Sequence, residues 1–226
     1  AAALPGVLIS IFTVLNVFLH IAGAATAVHF FTLLAILGLW ITISTPMVFV
    51  GSFFGFRAEK LQVPVKVNQI SRYVPELPWY ASPPMSYLLG GILPFGSVCI
   101  ELFFIMSALW LHQIYYMMGF LVVVLCILAA TCAEVSVVMT YLQLCSEDHR
   151  WWWKSFFNCA SAGFYLFLYS LWFLVSRLDL VGILPVVVYI TYMGMISFCF
   201  ALFCGSIGVL CSFVFIRNIY GALKVD

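Results

Sequence analysis

The chain reads as an all-α, polytopic membrane bundle of six transmembrane helices. Three observations predict it. Of 226 residues, 65% are hydrophobic, against about 45–50% in soluble domains. Only 8% are charged, against about 25% in soluble domains. Mean hydropathy is +1.18. Nine Lys and Arg with eight Asp and Glu cannot clothe a water-soluble fold of this length. The same composition excludes disorder, which needs low hydropathy and high charge. A net charge of +1 lacks the basic footprint of a nucleic-acid binder. The solvent for most of the surface is lipid, so the bilayer is the first expected partner.

A helix crosses a bilayer with about 20 apolar residues at about 1.5 Å per residue. Apolar runs separated by polar breaks place spans near Leu4–Ala24, Val28–Phe56, Pro84–Leu111, Ile114–Cys145, Phe156–Val175 and Val181–Ile216. Several exceed the minimum and imply tilt or interfacial extension. Barrel strands are about ten residues long and alternate polar with apolar, which these runs do not. Residues 57–83 are rich in proline (Pro64, Pro75, Pro78, Pro83) and predict an extended loop. With six alternating spans, that loop, 146–155 and the tail 217–226 share one side. They hold Arg57, Lys60, Lys66, Arg72, Arg150, Lys154, Arg217 and Lys224, whereas the other side holds only Arg177. Cationic loops stay in the cytosol, so both termini of this chain are expected there. Trp151, Trp152 and Trp153 stand between Arg150 and Lys154 and are expected to anchor the fifth span in the headgroup layer, where indole satisfies both its apolar body and its N–H. The start, Ala1-Ala2-Ala3, has no Met and no signal-peptide pattern, and suggests part of a longer protein.

Two acids fall within spans, Glu101 and Glu134. Each must be protonated, paired or facing a wet cavity. They are candidates for proton or cation coupling, or for a helix–helix hydrogen bond. Helical rise puts Glu134 near mid-membrane, about 16 Å from the end of its span, and Glu101 in the far half of its own. Gly90, Gly91, Pro94 and Gly96 precede Glu101. They predict either an interrupted helix of the kind that builds transport sites or a kink with close helix packing. Gly51-x-x-x-Gly55 is a packing signal. Eight cysteines, at 99, 126, 132, 145, 159, 199, 204 and 211, form no Cys-x-x-Cys pair and no zinc spacing, and are expected to be free, buried thiols. His20, His29 and His112 flank the expected lumenal ends. Glu147-Asp148-His149 beside Arg150 reads as a solvated charge cluster. No catalytic set, metal centre or cofactor loop is found in the sequence, so a non-enzymatic protein is expected.

Several strings in order resemble the transmembrane 9 superfamily, the nonaspanins: Leu4-Pro5-Gly6, Phe54-Gly55-Phe56-Arg57, Val67-Asn68-Gln69-Ile70, Ile92-Leu93-Pro94-Phe95-Gly96, Ile100-Glu101-Leu102-Phe103-Phe104-Ile105, Leu144-Cys145-Ser146-Glu147-Asp148, Arg150-Trp151-Trp152-Trp153 and Arg217-Asn218-Ile219-Tyr220. The resemblance implies nine spans, of which these six are the last, behind a lumenal N-terminal domain not present in this chain. It implies that Lys224 and Asp226 form a Lys-x-Asp signal read by the coatomer coat, giving Golgi and endosomal residence. It also implies a helper that sorts and surface-localises other membrane proteins; whether it works alone or within a larger membrane assembly is left open by the sequence. The mechanism would be lateral recognition of cargo helices, with Gly51, Gly55, Gly90 and Gly91 permitting close approach and Glu101 supplying hydrogen bonds. The alternative is a proton- or cation-coupled transporter or channel using Glu101 and Glu134. A lipid-directed enzyme is the third reading, and no nucleophile or metal set supports it.

Overall fold

The computed structural model describes residues 3–23, 27–59, 70, 73–76, 79, 82–110, 114–178 and 182–222, all six regular elements among them being α-helices. They are α1 (Ala3–Ile21), α2 (Phe30–Arg57), α3 (Pro83–Trp110), α4 (Ile114–Cys145), α5 (Trp151–Arg177) and α6 (Ile183–Ala222). Over the described residues five are long and apolar enough to cross a membrane, and α3 contributes a shorter described apolar stretch, Pro84–Cys99. The chain is therefore a helical membrane protein. Most bounds shift by one to three residues from the sequence reading, and two shift further. α5 starts at Trp151, taking the three tryptophans into its first turn, and α6 runs on through Arg217 to Ala222. Polar residues end a hydrophobic run, but a helix needs a cap or a breaker to stop it, and none stands at 217.

The chain divides into two compact units, Ala1–Gln62 and Val63–Asp226. In the first, Asn16 of α1 is buried and pairs with the backbone of Val28. Its amide nitrogen donates to the Val28 carbonyl at 2.9 Å, and its amide oxygen accepts from the Val28 N–H at 2.7 Å. One side chain thus satisfies both backbone groups of a non-helical residue, which hydrocarbon would otherwise leave unpaired. The turn before it uses Gly23 at φ +65°, a conformation open to glycine at no steric cost. Arg57, in the last turn of α2, lies 4.7 Å from the centre of the Phe53 ring, and its charge suits the negative end of the helix dipole. None of the residues of α2 is buried.

In the second unit α5 packs against α3, α4 and α6, and α4 packs against α3 and α6. Hydrocarbon gives no hydrophobic drive for this, so small residues and interhelical hydrogen bonds must. A Cβ added at Gly91 would lie 2.2 Å from Ser161 Oγ, and one at Gly90 would lie 2.8 Å from the Asn158 carbonyl. α3 and α5 therefore touch backbone to backbone. Ser161 and Tyr165 of α5 tie the seam by donating to the carbonyls of Tyr87 and Leu88 at 2.5 and 3.0 Å. Gly163 and Gly208 bring α5 and α6 equally close, and Gly205 of α6 seats the Phe156 ring of α5. Val98, Val124, Leu128, Cys132, Cys159, Ala162 and Cys204 form the shared core.

Candidate functional site: a groove between α4 and α6

Helical periodicity divides α4 into two faces. Leu128, Cys132, Ser136 and Thr140 recur every four residues and are buried. Glu134 lies two residues from both Cys132 and Ser136, about 200° around the helix, and is exposed.

The inner face carries a hydroxyl network drawn from three helices. Ser136 Oγ donates to the Gly208 carbonyl at 2.6 Å, and Ser155 Oγ lies 3.0 Å from the same oxygen. Ser212 Oγ lies 2.5 Å from both Ser136 and Ser155 and 2.8 Å from Thr140 Oγ1. All four hydroxyl residues are at most 1% exposed. A cation held by these oxygens at about 2.4 Å would push them more than 3 Å apart, so the spacing is that of a hydrogen-bond network. One layer away, Cys132, Cys159 and Cys204 meet from the same three helices, and Cys159 Sγ donates to the Cys132 carbonyl at 3.6 Å. All eight cysteines are free. Among the described residues no group of three or more His, Cys, Asp or Glu is arranged to hold a metal.

The outer face opens onto a groove of about 690 Å³, walled by Ala133, Glu134, Val137 and Val138 of α4 and by Leu210, Cys211, Val214 and Phe215 of α6. Glu134 supplies its only carboxylate. No hydrogen bond or ion pair joins Glu134 to another described residue. It sits at the middle of the apolar stretch Leu121–Cys145. A charge at that depth costs about 2.5–3.5 kcal/mol on insertion scales.

Of the other residues singled out in the sequence, Glu101 belongs to α3 but its side chain lies outside the described residues. Lys224, Asp226 and His112 also lie outside them. α3 runs uninterrupted through Pro94, which is buried, and Gly96 faces open space. Gly51 and Gly55 have nothing within 4 Å of an added Cβ. Gly90 and Gly91 are occupied by α5, so they offer no surface to a docking helix; this corrects the expectation that they admit cargo. Trp151 packs on Phe213 and Trp152, while Trp153 stacks on Phe157 at 6.0 Å. Trp152 and Trp153 are exposed, as are His20 and His29.

The Glu147-Asp148-His149 segment needs a second correction. Asp148 is fully buried. It accepts from the Arg150 N–H at 3.0 Å and from Lys154 Nζ, with Arg150 Nε at 3.5 Å. Burial alone would raise its carboxyl pKa, but the Lys154 and Arg150 N–H hydrogen bonds and their charges outweigh it and hold the value below the usual range. The loop closes the end of α4 with two reverse bonds, Asp148 N–H to the Gln143 carbonyl and Glu147 N–H to that of Leu144, with Glu147 left-handed at φ +58°. A tight C-terminal cap followed by a helix start draws Asp148 inward, beneath the α5 N-terminus. Charge composition alone does not reveal this.

The network, the buried Asp148 and the α5–α6 glycines were not anticipated from sequence. Their signal was present as small residues every three or four positions: Cys132, Ser136, Thr140 on α4; Ser155, Cys159, Gly163 on α5; Ser197, Ala201, Cys204, Gly208, Ser212 on α6.

No solved structure matches the chain. The model of the Endomembrane protein 70 family matches residues 1–183. Transmembrane 9 superfamily member 10 of Arabidopsis thaliana is 45% identical over 98% of this chain and 35% of its own length. Member 4 of Homo sapiens is 43% identical over 100% of the chain and 35% of its own length. Member 2 of Mus musculus is 40% identical over 98% of the chain and 34% of its own length. The chain thus spans about a third of these curated relatives, none of which bears an enzyme's name. With the family model covering most of its length, this multi-pass membrane chain belongs to the transmembrane 9, or Endomembrane protein 70, superfamily.

Proposed function

We propose that the protein sorts other membrane proteins within Golgi and endosomal membranes, recognising their transmembrane helices laterally and without enzymatic chemistry. The open groove between α4 and α6 carries this reading. It faces sideways out of the bundle, it is apolar, and its one carboxylate has no partner among the described residues. Lateral recognition needs a surface that lipid covers until a helix replaces it. The transporter reading needs a polar path. The other seven lining residues are apolar or a thiol, and α3 keeps its helix through Pro94. On the sorting reading the Lys224 and Asp226 tail supplies Golgi residence through the coatomer coat.

The test narrows the groove. In full-length protein, Leu210→Trp should release co-purifying membrane proteins and lower their surface level, while the protein's own distribution stays unchanged. Lys224→Ser should shift the protein out of the Golgi without releasing them. A narrowed groove that left every partner bound would refute the proposal. So would ion flux in vesicles that vanished in Glu134→Gln.

A further inference from the structure

The geometry points to a charge-selective site: the groove takes a transmembrane helix bearing Lys or Arg at mid-membrane depth, its cation paired with Glu134. This rests on the sorting reading and names the chemistry of the partner.

Glu134 lies 13 residues from Leu121 and 11 from Cys145, so about 20 and 16 Å of helix separate it from the two ends of that apolar stretch. Neither end of the stretch is within reach of its side chain. Among the described residues the groove walls hold no Lys, Arg or His, so a cation that pairs with Glu134 comes from outside them, and at the same depth. A lone carboxylate and a lone ammonium or guanidinium are each unfavourable in hydrocarbon. Brought together, each relieves the other, and water is absent to weaken the attraction. The selectivity follows directly, because an uncharged helix gains only packing, whereas a helix with a central cation gains packing and charge relief. Ala133 beside Glu134 and Cys211 across from it are small, and small residues allow close backbone approach. Val138, Leu210 and Val214 are more than half exposed and give apolar contact on either side. A second copy docking through the same face would bring another carboxylate to this depth, so self-pairing is disfavoured.

The experiment uses full-length protein expressed in cells with single-span reporters. Their Leu/Ala spans carry a central Lys, a central Leu or a central Glu. The Lys reporter should co-purify with the native protein, and its recovery should fall about tenfold or more in Glu134→Gln. Glu134→Lys should reverse the preference and capture the Glu reporter. If Leu210→Trp releases all reporters equally while both Glu134 variants bind as the native protein does, the sorting groove stands and charge selection is overturned. If no reporter binds any form, both readings fall. A photo-crosslinker at Val138 that joined only the protein's own chain would overturn the inference as well, since another of its own segments would then fill the groove.

Discussion

The two faces of α4 solve the same problem in opposite ways. Both carry polar side chains at bilayer depth. On the inner face Ser136 and Thr140 are buried and bonded to Ser155, Ser212 and the Gly208 carbonyl. On the outer face Glu134 stands exposed in an apolar groove without such partners. The inner groups spend their hydrogens on one another and on the Gly208 carbonyl, holding three helices together. The outer group makes no hydrogen bond or ion pair with another described residue. Polarity within a membrane span therefore does not by itself mark a site.

Substitutions can break or sharpen this contrast. The largest effect is expected from Ser136→Leu, which removes the central hydroxyl and puts three carbons in place of its oxygen between three helices. A loss of about 3 kcal/mol is expected, seen as a lower detergent-unfolding midpoint. Next is Asp148→Asn, which removes the buried negative charge and one of the two oxygens that accept from Lys154 and the Arg150 N–H. It should cost about 2 kcal/mol, discounted because Lys154 is partly exposed and the loop lies at the end of the helices. The pH dependence follows from the lowered Asp148 pKa. A carboxyl held below its unfolded value stabilises the fold at pH above the unfolded value of about 3.9, and that stability is lost as pH falls through the native value. Acid unfolding followed from pH 6 downward should therefore show a step below about pH 4 that Asp148→Asn lacks.

Smaller is the difference between two glycines. Gly208→Ala places a Cβ 2.8 Å from Cys159 Sγ and 3.1 Å from the Ser155 carbonyl, and should cost about 1–2 kcal/mol. Gly96→Ala meets nothing within 4 Å and should gain up to about 1 kcal/mol in helix propensity. Smallest of all is Glu134→Gln, expected to leave the unfolding midpoint within about 0.5 kcal/mol of the native protein. A destabilisation by Glu134→Gln as large as that by Ser136→Leu would erase the contrast.

The helices were legible because their solvent is uniform. Long apolar runs in α2, α4 and α6 leave one economical conformation in lipid, where every backbone group must bond within its own segment. Helix ends were less legible. α5 starts five residues before Phe156 because Trp and Lys are compatible with a helix even where they signal an interface. The site was half legible. Glu134 stood out as an acid in an apolar run, but the sequence left open whether it faced the bundle or the lipid. That depends on which stripe of α4 the neighbouring helices bury, and the clue lay in Cys132, Ser136 and Thr140 rather than in Glu134 itself. Asp148 was misread for a related reason. Its neighbours Glu147, His149 and Arg150 are exposed, so composition assigned it their solvent, and only the cap geometry turns it inward.

One more consequence follows from the length of α6. Forty unbroken residues make a rod of about 60 Å, and a bilayer offers about 30 Å of hydrocarbon. Even leaning at about 40°, the steepest angle common for such rods, it overshoots by some 15 Å. Leu210–Phe215 and the stub from Arg217 to Ala222 are therefore successive lengths of one stiff spar. Whatever grips the stub also sets the pitch of the wall behind it.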